Sequence, residues 1–429
     1  MAESTTVTIT EADAFKQKAL RWAHQFGVVC LLDSNEYQPQ RYTSLQWKLA
    51  VDEKKDWTND VSLNYFSDLK SYLESKQNAV FGFLSYDLKN EFEKLYSANQ
   101  SGIDFPTLFF FEPRYTFEII GDKLTVNRNY PETFELLETI QNFNTNTANK
   151  TSAITLQSRT ERDIYLQQVN KIRRKIEEGD FYEINYCNEF YSEGKKIDPI
   201  STYLSLNKKA KAPFSAFFKL HNKYIICASP ERFLKKEGSK LISQPIKGTC
   251  KKGGTKRENE LLQQTLKNDI KERAENVMIV DLVRNDLAKS SKAGSVKVEE
   301  LFGIYEFETV NHMISTVVSE ADNNQTSSIL QHAFPMGSMT GAPKVEVMKN
   351  IEAFENFKRG IFSGSIGYIA PNGDFDFNVV IRSIFYDDIS MYVSLPVGGA
   401  ITYDSVPESE WEELILKAKA MVDVLNTTA

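Results

Sequence analysis

The sequence predicts an α+β fold in which β-sheets pack together. Apolar runs of strand length arrive in groups, and helical stretches stand between the groups, whereas a regular β-α alternation is absent. No internal repeat of solenoid length is present. The 429 residues are 41% hydrophobic and 25% charged, which is typical of a globular chain with a sizeable core.

The amino-terminal elements follow from hydrophobic periodicity. Residues 12–25 have the period of an amphipathic helix, and residues 28–32 form an apolar run that predicts a buried strand. The next three residues, Asp33, Ser34 and Asn35, favour a turn. Residues 57–76 are helical in period, and residues 79–86 predict another strand.

An aromatic segment and a polar segment follow. Residues 105–117 are strongly aromatic, and Pro106 and Pro113 are expected to limit any strand there to a sheet edge or a short piece. Residues 143–158 are rich in Asn, Thr and Ser and predict a linker. We therefore predict two parts, residues 1–150 and residues 151–429.

The second part begins with a helix over residues 161–178, which Gly179 is expected to end. A long helix is predicted over residues 259–287 and a final helix over residues 407–425. The predicted strands of this part are residues 184–191, 216–220, 224–228, 233–235, 366–369, 378–384 and 391–396.

Charge and composition exclude several functions. The formal net charge is −7 and no basic helix is present, so we expect no nucleic-acid partner. No run of eighteen apolar residues and no basic, apolar leader is present, so we expect no membrane span and a cytoplasmic chain. Four widely spaced cysteines indicate neither a zinc site nor a disulfide framework.

One lysine stands out by its context. Lys247 lies in the segment Pro245-Ile246-Lys247-Gly248-Thr249, directly after an apolar run. Most lysines are solvated surface charges. A lysine that is partly buried at the end of a strand could instead act as a nucleophile.

Two predicted helices each carry a pair of glutamates three residues apart, Glu272 with Glu275 and Glu410 with Glu413. Residues with this spacing share a helix face. If the two faces meet, their oxygen atoms suit a hard divalent cation, most plausibly Mg²⁺. The alternative is that both pairs are solvated helix faces.

Other residues suit the binding of carboxylates. Arg382 ends an apolar run, Gly398 and Gly399 lie in a segment expected to form a turn, and Lys417 follows Glu413 by four residues. Arginine forks and free backbone amides both bind carboxylates. The glycine-rich loop over residues 334–344, which includes Thr340, lacks the order of a P-loop.

Two further polar residues allow a structural or a catalytic interpretation. His312 lies among apolar residues, where a histidine is usually a hydrogen-bonded core residue. Glu231 could be a catalytic acid or an ion-pair partner of its neighbour Arg232.

Ten segments together resemble the chorismate-utilising enzymes, the family that includes anthranilate synthase component I, aminodeoxychorismate synthase component I, isochorismate synthase and salicylate synthase. The resemblance covers about residues 161–421, in family order, and less distinctively the segments LLDSN and FGFLSYDL before it. It implies a large two-sheet, β-sandwich-like core covered by helices. The ten segments are GDFYEINY, SPERFL, PIKGT, ERAENVMIVDLVRNDL, GSVKV, HMIST, FPMGSMTGAPK, RGIFSGSIGYI, FNVVIRSI and VGGAITYDSVPESEWEE.

Within the resemblance, two positions indicate the reaction. Glu183 stands where isochorismate and salicylate synthases have a water-activating lysine, so addition of water is not expected. Lys247 stands where anthranilate synthases usually have alanine, and a lysine there is the mark of aminodeoxychorismate synthases. Asn276 and Ser365 favour the same reading.

The resemblance therefore implies amination of chorismate to 4-amino-4-deoxychorismate, a precursor of p-aminobenzoate and folate. Lys247 would attack ring carbon 2, Glu231 would be the general acid, and His312 would line the pocket. Glu275 and Glu413 would bind Mg²⁺ beside Glu272 and Glu410. The substrate-binding residues would be Thr249, Thr340, Arg382, Gly398, Gly399 and Lys417.

The resemblance also implies a partner. No cysteine lies in the context of a class I glutaminase, so a separate glutaminase subunit would supply the ammonia. Phe362 replaces a carboxylate-binding tyrosine of some relatives, and Glu183 replaces a glutamine. The segment at residues 212–215 lacks the inhibitor-binding pattern of anthranilate synthases, so tryptophan inhibition is not expected, although a bound structural tryptophan is compatible with the sequence.

Two alternatives stay open. The chain could be an anthranilate synthase component I in which Lys247 is a bystander. It could also be a non-catalytic member of the family that binds a metabolite or a partner without reaction.

Overall fold

The computed structural model describes residues 4–37, 42, 45–58, 64–93, 95–127, 130–144, 154–323 and 325–427. These residues contain both strands and helices in large number, which confirms the predicted α+β class. The helices are α1 (Ala12–Ala23), α2 (Tyr65–Glu74), α3 (Asn90–Glu93), α4 (Tyr130–Gln141), α5 (Arg162–Glu177), α6 (Pro199–Ala210), α7 (Lys256–Asn268), α8 (Ile270–Ala288), α9 (Thr326–Ala333), α10 (Lys344–Phe354) and α11 (Pro407–Thr427).

The strands join one network in which the ladders between them are antiparallel. In chain order they are β1 (Thr5–Thr8), β2 (Val28–Asp33), β3 (Trp47–Thr58), β4 (Val80–Leu84), β5 (Leu108–Ile120), β6 (Lys123–Val126), β7 (Gln157–Ser158), β8 (Glu183–Ser192), β9 (Phe214–Leu220), β10 (Lys223–Ser229), β11 (Arg232–Glu237), β12 (Lys240–Gln244), β13 (Ile246–Lys251), β14 (Lys297–Glu306), β15 (Val310–Glu320), β16 (Gly341–Ala342), β17 (Ser365–Ile369), β18 (Phe375–Asn378), β19 (Ser383–Asp387) and β20 (Tyr392–Ile401).

Both faces of the sheet are buried. Along β2, Cys30 lies in an inner core that strands share with α2, α8 and α9, whereas its neighbours Val29 and Leu31 lie in an outer core under α1, α5, α6 and α11. In the inner core, Phe83 of β4 and Phe218 of β9 meet edge to face, with ring centroids 5.2 Å apart, although these two strands are not paired with each other. The sheet therefore folds over itself in a sandwich-like arrangement, and helices cover its outside.

Strands from both predicted parts of the chain pair with one another. β2 pairs with β9, and β4 pairs with β17. The proposed boundary near residue 150 falls at residues 145–153, which lie outside the described residues. The division into residues 1–150 and 151–429 stays a prediction.

Several predicted elements differ from the structure near the amino terminus. Trp57 belongs to the end of β3 rather than to a helix, because β3 pairs there with β5, and α2 begins only at Tyr65. The expected short or edge strand at residues 105–117 is wrong, since β5 runs for 13 residues and pairs on both sides. Pro113 is tolerated because β4 pairs only up to Phe111 and β6 only from Phe117, so β5 has one neighbour at the proline.

Two further corrections concern the second part. The predicted helix over residues 259–287 is two helices, because Asp269 is extended and its side chain caps α8 by accepting a hydrogen bond from the Glu272 amide at 2.9 Å. The predicted strand over residues 378–384 is also wrong. β18 ends at Asn378, and Arg382 has a left-handed backbone, with φ +52°, before β19 begins.

Candidate active site

Lys247 lies at an irregular point of β13. The register between β13 and β15 shifts between Ile246 and Thr249, and Gly248 has φ +101°. A Cβ atom on Gly248 would lie 3.1 Å from Glu272 Oε2, so a larger residue would be strained and crowded there. The Lys247 side chain is only 13% exposed, so it is not a solvated surface charge.

The nearest partner of Lys247 is Glu183, the first residue of β8. Lys247 Nζ donates to Glu183 Oε1 at 2.5 Å, and it lies 3.9 Å from Glu275 Oε2. Burial lowers the pKa of Lys247, but the carboxylates of Glu183 and Glu275 outweigh burial and raise the pKa above its usual value. The lysine is therefore held as an ammonium in this arrangement.

The backbone at Lys247 is fixed by a buried amide. Asn276 Nδ2 donates to the carbonyl oxygen of Lys247 at 3.3 Å, and Ser315 Oγ donates to Asn276 Oδ1 at 2.6 Å. Asn276 follows Glu275 on α8. The same turn of α8 thus supports the backbone of Lys247 and places a carboxylate near its amine.

Glu231 lies just before β11 and is buried, with 4% of its surface exposed. Burial raises the pKa of Glu231 to about 7, although the Ser338 hydroxyl, the Ile246 amide and Lys247 act in the opposite direction. An ion pair with Arg232 is not formed. Arg232 instead binds Asp376 through two hydrogen bonds of 2.9 and 3.0 Å.

His312 lies opposite Thr249 in the β13–β15 ladder, and the Thr249 hydroxyl is 2.8 Å from His312 Nδ1. The ring of Phe307 meets the imidazole edge to face, with centroids 4.8 Å apart. Burial, together with Arg382 and Lys417, lowers the pKa of His312 to about 3. The imidazole is therefore neutral and can donate or accept a hydrogen bond.

The two glutamate pairs do face one another. Glu272 and Glu275 lie in the first turns of α8, and Glu410 and Glu413 lie in the first turns of α11. Burial raises the pKa of Glu275 to about 7 and also raises the pKa of Glu272 and of Glu410. The negative charge of Glu413 also raises the pKa of Glu272 and of Glu410. Lys271 lies near both Glu275 and Glu410, so the two helix faces are not separate, although the Glu413 side chain is 53% exposed.

Two lysines lie beside these carboxylates and balance part of their charge. Lys271 Nζ lies 3.8 Å from Glu275 and 4.0 Å from Glu410, and Lys417 Nζ lies 2.7 Å from Glu413. The ion pair with Lys417 lowers the pKa of Glu413. Within the described part of the chain, no three histidine, cysteine or acidic side chains are grouped closely enough to hold a metal ion. The oxygen donors suit Mg²⁺, but binding would require them to move away from these lysines.

The predicted carboxylate-binding residues are only partly as expected. Gly398 and Gly399 do not form a turn but lie within β20, opposite Cys187 and Tyr186 of β8. A Cβ atom on Gly398 would lie 2.3 Å from Cys187 Sγ, so close packing against β8 explains the glycine.

Two cations lie beside this strand. Lys417 Nζ donates to the carbonyl oxygen of Gly398 at 2.9 Å, and Arg382 Nη1 donates to the carbonyl oxygen of Lys417 at 3.4 Å. Burial lowers the pKa of Arg382. Arg382 and Lys417 place two positive charges near the neutral His312, and Lys417 also pairs with Glu413.

Thr340 differs from the other predicted binding residues. It is fully buried, and its hydroxyl donates to the carbonyl oxygens of Met336 and Gly337, each at 3.2 Å. Its own carbonyl oxygen accepts a hydrogen bond from the Asn185 amide at 2.8 Å. The contacts of its hydroxyl are thus within its own loop.

Sequence reasoning missed two residues of the site. Ser338, which donates to Glu231, is 107 positions from it and no periodicity connects the two. Lys271 could have been found, because it precedes Glu275 by four residues and such pairs share a helix face.

A cavity lies away from this site. It is lined by Asp33 and Ser34 at the end of β2, by residues 213–215, and by the Arg232–Asp376 pair. This is the region in which the sequence left a bound tryptophan open, and that expectation stays a prediction.

The remaining expectations concern cysteines and membranes. The four cysteines are free, and three of them are buried. None of the helices in the described ranges is long and apolar enough to cross a membrane.

Residues 27–423 match the family described as chorismate binding enzyme. Curated relatives include the chloroplastic aminodeoxychorismate synthase of Arabidopsis thaliana, 40% identical over 264 residues, which are 60% of this chain and 28% of that protein. Aminodeoxychorismate synthase component 1 of Bacillus subtilis is 32% identical over 374 residues, covering 82% and 77% of the two chains. Anthranilate synthase component 1 of Aquifex aeolicus is 37% identical, covering 60% and 52%.

Solved structures show the same fold. Anthranilate synthase component I from Streptococcus pneumoniae superposes with a TM-score of 0.77 at 24% identity, covering 90% of this chain and 93% of the other. The menaquinone-specific isochorismate synthase from Escherichia coli also gives a TM-score of 0.77, at 16% identity, with coverages of 99% and 94%. The chain spans less than a third of the length of the plant relatives that it matches.

Proposed function

Because this chain belongs to the family of chorismate binding enzymes, we propose that it is the chorismate-aminating component of an aminodeoxychorismate synthase. The observation that carries the proposal is the buried Lys247, whose amine lies among carboxylates at the centre of the site. A relative named aminodeoxychorismate synthase component 1 matches most of the chain and supports the same activity.

The site brings two kinds of charge together. Arg382 and Lys417 would bind the carboxylates of chorismate, together with the strand that carries Gly398 and Gly399. The neutral His312 and Thr249, joined by their hydrogen bond, would contact the uncharged part of the substrate. The substrate would thereby be held with its ring near Lys247.

The first half of the reaction would use Lys247 and Glu231. The Lys247 ammonium would first give a proton to water. The free amine would then form a bond to ring carbon 2 and lose a second proton to water, and the hydroxyl at carbon 4 would leave. Glu231 would protonate that hydroxyl, so that it departs as water. A carboxyl with a pKa of about 7 is partly protonated near neutral pH and suits this role.

The second half would release the lysine. Ammonia would form a bond to ring carbon 4, the bond from carbon 2 to Lys247 would break, and 4-amino-4-deoxychorismate would leave the site. A separate glutaminase subunit would supply the ammonia. This chain would therefore need an ammonium salt when assayed alone.

Mg²⁺ would be held by Glu275 and Glu413, with Glu272 and Glu410 beside them. When bound, it would supply positive charge for a substrate carboxylate. The raised pKa values of three of these glutamates are consistent with a site that favours an added cation.

Product analysis tests the proposal. The pure chain is incubated with chorismate, Mg²⁺ and ammonium chloride near pH 8, with or without added aminodeoxychorismate lyase. We expect p-aminobenzoate only in the sample that contains the lyase. Anthranilate in both samples would instead show an anthranilate synthase component, the second candidate, which the relative from Aquifex aeolicus favours.

A further inference from the structure

The carboxylate of Glu183 is buried, and one of its two oxygen atoms lacks a hydrogen-bond partner among the described residues. The side chain is 2% exposed, and that oxygen atom is Oε2. Its other oxygen accepts from Lys247 at 2.5 Å. A buried carboxylate oxygen without a hydrogen-bond partner destabilises a fold. Packing alone therefore does not explain a glutamate at this position.

The backbone that carries Glu183 is held from several sides. Glu183 pairs with Ala342 of β16. Two residues further on, Asn185 Nδ2 donates to the carbonyl oxygen of Ser338 at 2.9 Å, and the Asn185 carbonyl oxygen accepts from Arg359 at 2.7 Å. Glu183 thus starts from a fixed point in the sheet.

The backbone of Lys247 is fixed as well, but its amine is not. Asn276 holds the Lys247 carbonyl oxygen, and the bulge in β13 sets the direction in which the side chain leaves the strand. Four rotatable bonds then separate the backbone from Nζ, so the amine needs a partner that fixes its position. Glu183 is the nearest acceptor, since the Glu275 oxygen is 3.9 Å away.

We propose that Glu183 is a positioning residue for the nucleophile: its Oε1 atom holds Lys247 Nζ where the amine meets the substrate ring. The inference rests on the proposed function and adds a residue to it. It makes the acceptor atom of Glu183, rather than a contact with substrate, the feature that the reaction needs.

Three variants distinguish a Glu183 that positions Lys247 from a Glu183 that contacts the substrate. Glu183→Ala removes the acceptor, whereas Glu183→Gln keeps an oxygen at the same reach. Glu112→Ala is the matched control, because Glu112 also pairs with a buried lysine, Lys76, at 3.3 Å but lies in β5 of the amino-terminal region. The assay measures kcat and KM for amination of chorismate with ammonium chloride, and the rate at which Lys247 forms its adduct.

For Glu183→Ala we expect kcat and the rate of adduct formation to fall by about 10²-fold, because a misplacement of about 1 Å can have that effect. The KM for chorismate should change less than about threefold. Glu183→Gln should recover most of the lost kcat, to within about tenfold of wild type. Glu112→Ala should match wild type.

Three results would overturn the inference while the proposed function stands. In the first, Glu183→Ala is as fast as the active wild type. In the second, Glu183→Gln is as slow as Glu183→Ala. In the third, the KM for chorismate of Glu183→Ala rises by the same factor by which kcat/KM falls, which would mean that Glu183 binds substrate. If the wild-type chain neither forms the adduct nor aminates chorismate, the proposed function has failed and the inference falls with it.

Discussion

Two buried ion pairs, one on β11 and one on β13, are built in opposite ways. Arg232 at the start of β11 binds both carboxylate oxygens of Asp376, at 2.9 and 3.0 Å, and also binds Gln244. Lys247 on β13 binds one oxygen of Glu183, whose other oxygen has no hydrogen-bond partner in the described ranges. The first pair is matched in charge and geometry, whereas the second lies among surplus carboxylates.

The difference distinguishes an ion pair that stabilises the fold from one that belongs to the candidate active site. A matched, bidentate pair needs nothing from a ligand, and removing one partner leaves an uncompensated charge. The region around Lys247 contains Glu183, Glu275 and Glu231, and burial raises the pKa of the last two. Such unbalanced buried charge is typical of a site that a substrate or a cation completes.

The largest expected effect on stability is at the matched pair. Asp376→Ala leaves Arg232 buried without its carboxylate, so we expect the free energy of unfolding to fall by about 3–5 kcal/mol. Urea unfolding followed by circular dichroism measures the change. The folded fraction should keep its kcat, because Asp376 does not line the candidate site.

Asp423→Ala is the control for this prediction. Asp423 pairs with Lys209 at 2.5 Å on the surface, where loss of an ion pair changes stability by no more than about 1 kcal/mol. A loss at Asp376 as small as the loss at Asp423 would contradict the comparison of matched and unmatched pairs.

Replacement of Glu231 is expected to have a smaller effect on the free energy of unfolding, and to increase it rather than lower it. Its pKa is about 7 in the fold against an ordinary value of 4.5, so between these values the folded chain binds more protons than the unfolded chain. Stability contributed by this group is therefore lost as pH rises from about 5 to 8, by about 2 kcal/mol. Glu231→Gln removes the titration.

Urea unfolding at pH 5 and pH 8 tests this sign. The free energy of unfolding of Glu231→Gln minus that of wild type should be about 2 kcal/mol larger at pH 8 than at pH 5. An equal difference at the two pH values would show that Glu231 has an ordinary pKa in the fold.

The smallest expected effect comes from Mg²⁺. A cation at about ten times its dissociation constant stabilises a protein by about 1.4 kcal/mol, which in a chain of this length raises Tm by about 1–3 °C. Differential scanning calorimetry with and without MgCl₂ measures the shift. Glu275→Gln should abolish it, and Glu112→Gln should keep it.

Sequence predicted the architecture and most candidate residues, but not their partners. The strand at residues 28–32 follows from periodicity, and the meeting of the two glutamate pairs follows from the resemblance, whereas the burial of Lys247 could not be read from the sequence. The Arg232–Asp376 pair joins residues 144 positions apart, and Arg232 was instead weighed as a partner of Glu231. Local patterns do not encode such long-range pairing.

Backbone irregularities were equally hidden. The left-handed backbone at Arg382 divides a run that reads as one strand. Gly398 and Gly399 read as a turn, yet they lie in a long strand because β8 packs too closely for a side chain at Gly398. For the two glycines, pairing with β8 and not the local sequence decides the structure.

Trapping of the lysine adduct tests the central claim most directly. Wild type and Lys247→Ala are each mixed with chorismate and Mg²⁺ without ammonium, quenched in acid and analysed by intact mass and peptide mapping. We expect the mass of one chorismate less one water on the peptide that contains Lys247, in wild type alone, and its loss on addition of ammonium chloride. An adduct on Lys247→Ala, or amination by wild type with no adduct at Lys247, would contradict the account.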